Sequence, residues 1–219
     1  MGQKYKIDRI NLITYKGQKK KTVKSLRCRY IAKSHIVNCN AKTQSFEFVN
    51  FRGAQFKKVS FRNATFYGCD FWGTSFNECD LQNVTFNDCV FMACKFRNCT
   101  LTGSRFAYST VVNTNLLGCK GIDVSTGVFQ YKVYPACEMT PELEKSLELL
   151  KNDLNLKKCK VLFISDKKYN VLNLFLLQKR FRHRLPDLLL KLTNHSTANI
   201  TTYKKLERTL NKLSKPVTI

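Results

Sequence analysis

The chain has 219 residues, with 38 Lys and Arg against 15 Asp and Glu, and a formal net charge of +23. This length allows one sizeable core, or one core with a small appendage. The charge specifies no fold, but it predicts affinity for polyanions such as nucleic acid, acidic protein faces or anionic membrane. No apolar stretch approaches the roughly 18–20 residues of a membrane span, and no signal peptide opens the chain. We therefore expect a soluble, cytoplasmic protein.

The first 25 residues are basic, with eight Lys or Arg and one Asp, for a net charge of +7. Residues 5–15 are strand-like and are predicted to open the chain as a hairpin arm. We interpret residues 1–25 as an N-terminal arm or cap, because exposed strand edges promote aggregation and need to be covered.

An internal repeat with a period of five residues occupies the centre of the chain. Every fifth residue from 46 to 116 is large and apolar, and the residue two places earlier is small. A strict period of five fits neither the 3.6-residue period of a helix nor the two-residue alternation of a strand. The predicted core positions are Phe46, Phe51, Phe56, Phe61, Phe66, Phe71, Phe76, Leu81, Phe86, Phe91, Phe96, Leu101, Phe106, Val111 and Leu116.

The pattern small–polar–Phe or Leu–polar–variable, as in CDFWG and CDLQN, resembles the pentapeptide-repeat family. The resemblance is strong over residues 44–118 and continues more weakly back to Leu26. It implies a mainly β fold, a right-handed quadrilateral β-helix in which four pentapeptides make one coil. Residues twenty apart would then stack at about 4.8 Å, so that columns of Phe and Leu fill the interior. We assign residues 26–123 to this β-helix.

Ten cysteines raise the question of a metal site or disulfides. At small inward positions a thiol packs as a small hydrophobic group, and no Cys or His spacing typical of a zinc site is present. We expect reduced thiols, no metal and no cofactor. Since GxSxG, Walker, HExxH and dinucleotide-binding patterns are also missing, we predict that the protein is not an enzyme. The six repeat cysteines are Cys69, Cys79, Cys89, Cys94, Cys99 and Cys119.

Residues 124–156 are predicted to contain a connection and a capping helix that packs on the last coil. Thr140 is a suitable N-cap and Pro141 suits the first helical position, while the leucines that follow form one apolar stripe. Residues 157–219 are predicted to form a small basic helical region, with helices at 168–184, 186–193 and 201–213. A helix-turn-helix remains an alternative to a plain bundle there, and a homodimer through this region is a further possibility.

The positive charge is concentrated at the two ends of the chain. Residues 26–62 carry a net +7 and residues 157–219 a net +12, whereas 63–123 carry −1 and 124–156 carry −2. This distribution favours a polyanionic partner over a uniformly solvated surface. The candidate contacts are Arg52, Lys57, Lys58 and Arg62 on the early coils, and Lys179, Arg180, Arg182 and Arg184 in the C-terminal region.

Three functional hypotheses follow. The first is a non-enzymatic binding scaffold whose basic residues contact the phosphates of nucleic acid or of a nucleoprotein complex. The second is a protein–protein adaptor that binds an acidic protein. The third is implied by the resemblance alone: protection of type II topoisomerases by mimicry of duplex DNA. Mimicry requires an acidic face, whereas residues 26–123 carry a net +6, so we disfavour it.

Overall fold

The computed structural model describes residues 8–115, 117–121 and 129–215. The chain divides into two compact units, Met1–Val133 and Tyr134–Ile219. The first unit is a parallel β-solenoid of about 6 turns, and the second contains a few helices. The predicted division at residues 25, 123 and 156 is finer than these two units and stays a prediction.

Short strands of two or three residues alternate with turns along the solenoid. In chain order they are β1 (Asn11–Ile13), β2 (Leu26–Arg27), β3 (His35–Val37), β4 (Ser45–Glu47), β5 (Gln55–Lys57), β6 (Thr65–Tyr67), β7 (Asp70–Trp72), β8 (Ser75–Asn77), β9 (Thr85–Asn87), β10 (Val90–Met92), β11 (Lys95–Arg97), β12 (Arg105–Ala107), β13 (Thr110–Val112) and β14 (Phe129–Tyr131).

Three parallel sheets form three sides of the solenoid. The first sheet has the order β1-β3-β5-β8-β11, the second β12-β9-β6-β4-β2, and the third β14-β13-β10-β7. The fourth side consists of single parallel bridges from Asn40 to Ser60, Ser60 to Asp80, Asp80 to Thr100, and Thr100 to Lys120. Residues twenty apart therefore lie opposite each other on neighbouring coils, which confirms the predicted four-sided repeat.

The predicted columns of aromatic rings fill the interior. The ring centroids of Phe46 and Phe66 lie 4.8 Å apart with an interplanar angle of 15°. Adjacent columns meet edge to face, as Phe46 and Phe51 do at 5.8 Å and 71°. Stacked and edge-to-face pairs are favourable arrangements for aromatic rings. Every predicted core position from Phe46 to Phe106 is buried, and Leu116 lies outside the described residues.

Each pentapeptide ends in a corner residue with a positive φ, two places after the central Phe or Leu. The φ angle is +52° at Asn38, +59° at Asn63 and +55° at Asn83. This left-handed conformation is accessible to Gly and tolerated by Asn, which explains their frequency at the corners. At Gly103 a Cβ atom would meet the side-chain amide oxygen of Asn83 on the neighbouring coil, so a larger residue there would require this amide to turn away.

Strand β1 lies inside the segment predicted to be an N-terminal arm. It pairs in parallel with β3, with Leu12 opposite Ile36, and so extends the first sheet. The predicted hairpin over residues 5–15 is therefore wrong for residues 11–13, since their backbone pairs with the next coil rather than with a neighbouring part of the arm. Residues 1–7 lie outside the described residues.

The described part of the second unit contains five α-helices and a small antiparallel hairpin. These elements are α1 (Pro141–Leu150), α2 (Leu154–Cys159), β15 (Phe163–Ser165), β16 (Lys168–Tyr169), α3 (Val171–Phe181), a 3-10 turn (Arg182–Arg184), α4 (Leu185–Leu192) and α5 (Tyr203–Leu213). Helix α4 packs against both α1 and α5, and each of these helices buries leucines.

Side-chain caps set the limits of these helices. Thr140 accepts a hydrogen bond from the backbone N–H of Leu143 at 3.3 Å, as predicted for the N-cap of α1. Asp153 accepts a hydrogen bond from the backbone N–H of Leu156 at 2.8 Å and is the N-cap of α2, three residues after α1 ends at Leu150. The packing of α1 on the last coil stays a prediction.

The helix predicted over residues 168–184 begins later than expected. Lys168–Tyr169 forms the second strand of the hairpin instead, and Asn170 then caps α3 by accepting a hydrogen bond from Asn173 N–H at 3.2 Å. The other two predicted helices agree with α4 and α5 to within about two residues, which is the usual uncertainty of helix ends.

Candidate polyanion-binding surfaces

Arg52 lies apart from the other predicted contacts on the early coils. Its Cζ atom lies 4.2 Å from the centroid of the Trp72 ring, a cation–π contact on the side of the third sheet. Lys57 lies on β5 in the first sheet. The structure therefore does not bring these two predicted residues to one surface.

Lys58 and Arg62 each form an ion pair with an acidic residue of the next coil. Lys58 Nζ lies 3.4 Å from Glu78 Oε2, and Arg62 Nε lies 3.1 Å from Asp80 Oδ2. Exposed pairs of this kind contribute only about 0–1 kcal/mol to stability. Each carboxylate nevertheless offsets the cation beside it, so both residues attract a phosphate less than an isolated cation would.

These two ion pairs lie near a groove of about 360 Å³ on the surface of the solenoid. The groove brings together ammonium groups and carboxylates, and it is therefore less positive than the sequence of this region predicts. Its lining includes Lys20, Asn40, Lys42, Lys58, Ser60, Glu78 and Asp80.

The first sheet carries an exposed set of cations, of which the sequence prediction included only Lys57. Lys57 and Arg97 both lie opposite Asn77 in the register of the sheet, and Lys95 lies opposite Ser75. Their alternation with the buried central Phe residues directs all three side chains outward, and all three residues are exposed. Lys57 and Arg97 are two strand spacings apart, or about 10 Å.

No carboxylate occupies an outward position of the first sheet between β1 and β11. Apart from the three cations, the outward positions hold His35 and side chains that carry no ionisable group. The acid at the neighbouring corner, Glu78, pairs with Lys58. We call Lys57, Lys95 and Arg97 the basic face.

The sequence did not predict Lys95 and Arg97 as contacts because the net charge of residues 63–123 is only −1. Grouping the charged residues by their position in the twenty-residue coil would have identified both.

The four cations predicted in the C-terminal region lie at the end of α3 and in the 3-10 turn that follows it. All four are exposed: Lys179, Arg180, Arg182 and Arg184. Arg180 Nε lies 3.4 Å from Glu207 Oε1. Arg184 Nη2 donates a hydrogen bond to the backbone oxygen of Ser214 at 3.1 Å. The guanidinium groups of Arg180 and Arg184 thus have partners within their own unit. We call these four residues the tail patch.

Arg182 also borders a cavity of about 550 Å³ within the second unit. Its φ of +52° and ψ of −134° form a backbone conformation that residues other than Gly rarely adopt. Glu138 and Glu142 line the same cavity, and a hydrogen bond from its own backbone N–H lowers the pKa of Glu142. The carboxylates reduce the attraction of this cavity for a phosphate group.

The repeat cysteines pack at inward positions, as the repeat predicts. All ten are free thiols, and five of the six repeat cysteines are buried while Cys119 is half-buried. Burial raises the pKa of Cys94 to about 12. Over the part of the chain that the structure describes, no group of three or more His, Cys, Asp or Glu side chains is arranged to hold a metal ion.

A family model described as a pentapeptide repeat region matches residues 39–116. Residues 39–116 form a pentapeptide repeat domain. The match covers the coils in which the Phe columns and the buried cysteines lie. A comparison with curated protein sequences finds no match.

Several solved structures are similar to this chain. One is a pentapeptide repeat protein of the cyanobacterium Cyanothece 51142, at 10% identity and a TM-score of 0.28, over 57% of this chain and 82% of that one. Another, from the thylakoid lumen of Arabidopsis thaliana, has 19% identity and a TM-score of 0.22 over 71% and 88%. A third is full-length QnrB1, a plasmid-mediated fluoroquinolone resistance protein, with 14% identity and a TM-score of 0.17 over 57% and 92%.

None of the helices within the described residues is long and apolar enough to cross a membrane. The cytoplasmic location expected from the sequence stays a prediction.

Proposed function

We propose that the protein is a non-enzymatic binding scaffold that docks on nucleic acid or a nucleoprotein complex through its basic face. The observation that carries this proposal is the exposure of Lys57, Lys95 and Arg97 on one sheet whose outward positions hold no carboxylate. Cations in this arrangement contact phosphates and position a nucleic acid without reading its sequence.

The rigidity of the solenoid supports this function. The three cations project from strands held in register by parallel pairing on both sides of β8. Their backbone positions are therefore fixed before binding, and only the side chains lose conformational freedom. A spacing of about 10 Å between Lys57 and Arg97 lets both contact one strand of a nucleic acid at separate phosphates.

Titration of the full chain with labelled duplex DNA, single-stranded DNA and RNA at two salt concentrations tests the proposal. Each contact with a phosphate of duplex DNA adds about 0.9 to the slope of log affinity against log salt concentration. The variant Lys57→Gln/Lys95→Gln/Arg97→Gln should therefore bind more weakly and reduce this slope by about 3.

A matched control separates the basic face from net charge. The variant Lys33→Gln/Lys132→Gln/Arg105→Gln removes the same groups from exposed positions outside the first sheet. It should keep most of the affinity and of the salt dependence. Equal losses in both variants would reject the basic face as the contact surface, and no binding at low salt would reject the nucleic-acid function.

The tail patch is proposed as a second contact surface. Changing Lys179, Arg180, Arg182 and Arg184 to Gln tests it with the same titration. Because Arg180 and Arg184 already have partners in their own unit, we expect a smaller loss of affinity than from the basic face. The homodimer predicted through this region is tested separately, by light scattering of the free protein over a range of concentrations.

The adaptor hypothesis predicts a different outcome. A scaffold that binds an acidic protein would retain its partner after nuclease treatment and would bind no free nucleic acid at low salt. DNA mimicry remains disfavoured, because the described solenoid offers no acidic face. Three of its carboxylates pair with cations: Glu47 with Arg27 at 3.3 Å, Glu78 with Lys58 at 3.4 Å and Asp80 with Arg62 at 3.1 Å.

A further inference from the structure

Three of the repeat cysteines form one column beside the fourth side of the solenoid. Cys79, Cys99 and Cys119 occupy the same inward position on successive coils, immediately before the bridge residues of that side. The backbone N–H of Lys120 donates to the carbonyl oxygen of Cys99 at 3.1 Å, which fixes the last two coils in register. Neighbouring residues of the column are thus about 4.8 Å apart at Cα, within the range that a disulfide requires.

The column runs from the interior to an accessible end. Cys79 and Cys99 are buried at 2% and 1% exposure, whereas Cys119 is half-buried. The Sγ atom of Cys119 has a weak contact of 3.9 Å with the carbonyl oxygen of Leu117 and also interacts with Cys99 on the preceding coil. A small oxidant can therefore reach Cys119, and the next thiol in the column is Cys99.

The neighbouring thiols also differ in acidity. A hydrogen bond from the thiol of Cys79 lowers the pKa of Cys99, although burial opposes this shift. Burial raises the pKa of Cys119 above its ordinary value. Cys99 is thus the better nucleophile, and Cys119 the more accessible sulfur.

We propose that Cys99 and Cys119 are an oxidisable thiol pair that forms a disulfide on exposure to a peroxide. The thiolate of Cys119 attacks the peroxide O–O bond and becomes a sulfenic acid, while the other oxygen leaves as hydroxide and is protonated. The sulfur of Cys99 then attacks that of Cys119, and the sulfenic oxygen leaves as water. In sum, two thiols and one hydrogen peroxide give one disulfide and two waters.

A second stacked pair provides a control within the same molecule. Cys69 and Cys89 are also twenty residues apart at the inward position, but both are buried, at 0% and 1% exposure. Burial raises the pKa of Cys69 well above its ordinary value. This pair has the geometry of Cys99 and Cys119 without an accessible sulfur, and it should stay reduced under the same treatment.

Hydrogen peroxide treatment of the folded full chain, followed by alkylation of the remaining thiols and mass spectrometry of the intact protein and its peptides, tests the pair. The expected product has lost two hydrogen atoms, carries a peptide linking Cys99 to Cys119, and regains both thiols with dithiothreitol. Cys119→Ser and Cys99→Ser should each abolish this product, whereas Cys89→Ser should leave it unchanged. Ser is a conservative replacement, since Ser104 and Ser109 occupy equivalent buried positions.

Circular dichroism confirms that each variant is folded before treatment. The proposal is overturned if the wild-type chain keeps ten alkylatable thiols, if Cys119 stops at a sulfenic acid trapped by dimedone, or if the linked peptide joins Cys69 to Cys89. A product that persists in Cys119→Ser would overturn it as well, because the bond would then lie elsewhere in the chain.

Discussion

The two units of this protein are stabilised in different ways. In the solenoid successive coils repeat the same contacts: Phe66 stacks on both Phe46 and Phe86, and the inner strands of each sheet pair on both sides. In the helical unit, single side chains such as Asp153 and Glu207 join parts of the chain that are distant in sequence, Asp153 to Thr197 and Glu207 to Arg180. In the solenoid we expect large losses of stability only from substitutions in the core, whereas the stability of the helical unit should also depend on particular polar residues.

The largest effect is expected from a cavity in the solenoid core. Phe71 is fully buried, and its ring centroid lies 5.1 Å from that of Phe51 and 4.8 Å from that of Phe91. Phe71→Ala should lower the free energy of unfolding of the solenoid by about 3–5 kcal/mol. Trp72, the single tryptophan, lies in the adjacent strand position and reports solenoid unfolding in urea by its fluorescence.

Phe71→Leu is the matched control for this cavity. Leu81 and Leu101 occupy the equivalent position of the repeat and are fully buried, so the substitution should cost clearly less than Phe71→Ala. Far-UV circular dichroism of the helices follows the second unit in the same samples. If its midpoint moved together with the fluorescence midpoint, the two units would unfold as one and would not be stabilised separately.

The next largest effect is expected from the buried carboxylate of Glu207 in the helical unit. Glu207 is 8% exposed and lies 2.6 Å from Lys204 Nζ and 3.4 Å from Arg180 Nε. Glu207→Gln keeps the shape but removes the charge, and should lower the free energy of unfolding by about 1.5–3 kcal/mol. The helical circular dichroism signal in urea measures this loss.

An exposed ion pair of the same unit provides the comparison for Glu207. Glu148 lies 2.8 Å from Lys151 Nζ, and both side chains are substantially exposed. Glu148→Gln should therefore cost no more than about 0.5 kcal/mol. Similar losses for the two variants would show that burial adds nothing to the Glu207 network.

A smaller effect is expected at a helix cap. Asp153 accepts hydrogen bonds from Leu156 N–H at 2.8 Å and from the Thr197 hydroxyl at 2.7 Å. Asp153→Ala should destabilise the helical unit by about 0.5–2 kcal/mol. Asp153→Asn retains a capping oxygen and should recover most of this loss; a full loss in Asp153→Asn would assign the effect to charge rather than to capping.

The two units also differ in how well the sequence predicts them. A period of five identifies both inward positions of each pentapeptide, so the Phe core and the buried repeat cysteines follow from the pattern alone. Helix α2 was missed because Asp153 caps it while bonding to Thr197, 44 residues away. The basic face was only partly predicted for a related reason: Lys57 and Arg97 are 40 residues apart and become neighbours only through the coil.

The smallest effect expected concerns the corner conformation that both units contain. Thr43 has a φ of +59°, a conformation unfavourable for a β-branched residue, and Lys160 adopts the left-handed conformation with a φ of +58° after α2. Replacement by Gly removes a penalty of about 1–2 kcal/mol but increases the entropy lost on folding by roughly 0.5–1 kcal/mol. Thr43→Gly and Lys160→Gly should therefore each stabilise their own unit by about 0.5 kcal/mol, measured as a rise in the urea midpoint. Because β-branching adds to the penalty at Thr43, the gain there should be at least as large as the gain at Lys160. A gain at Lys160 with a loss at Thr43 would show instead that the side chain of a corner residue contributes to the stacking of the coils.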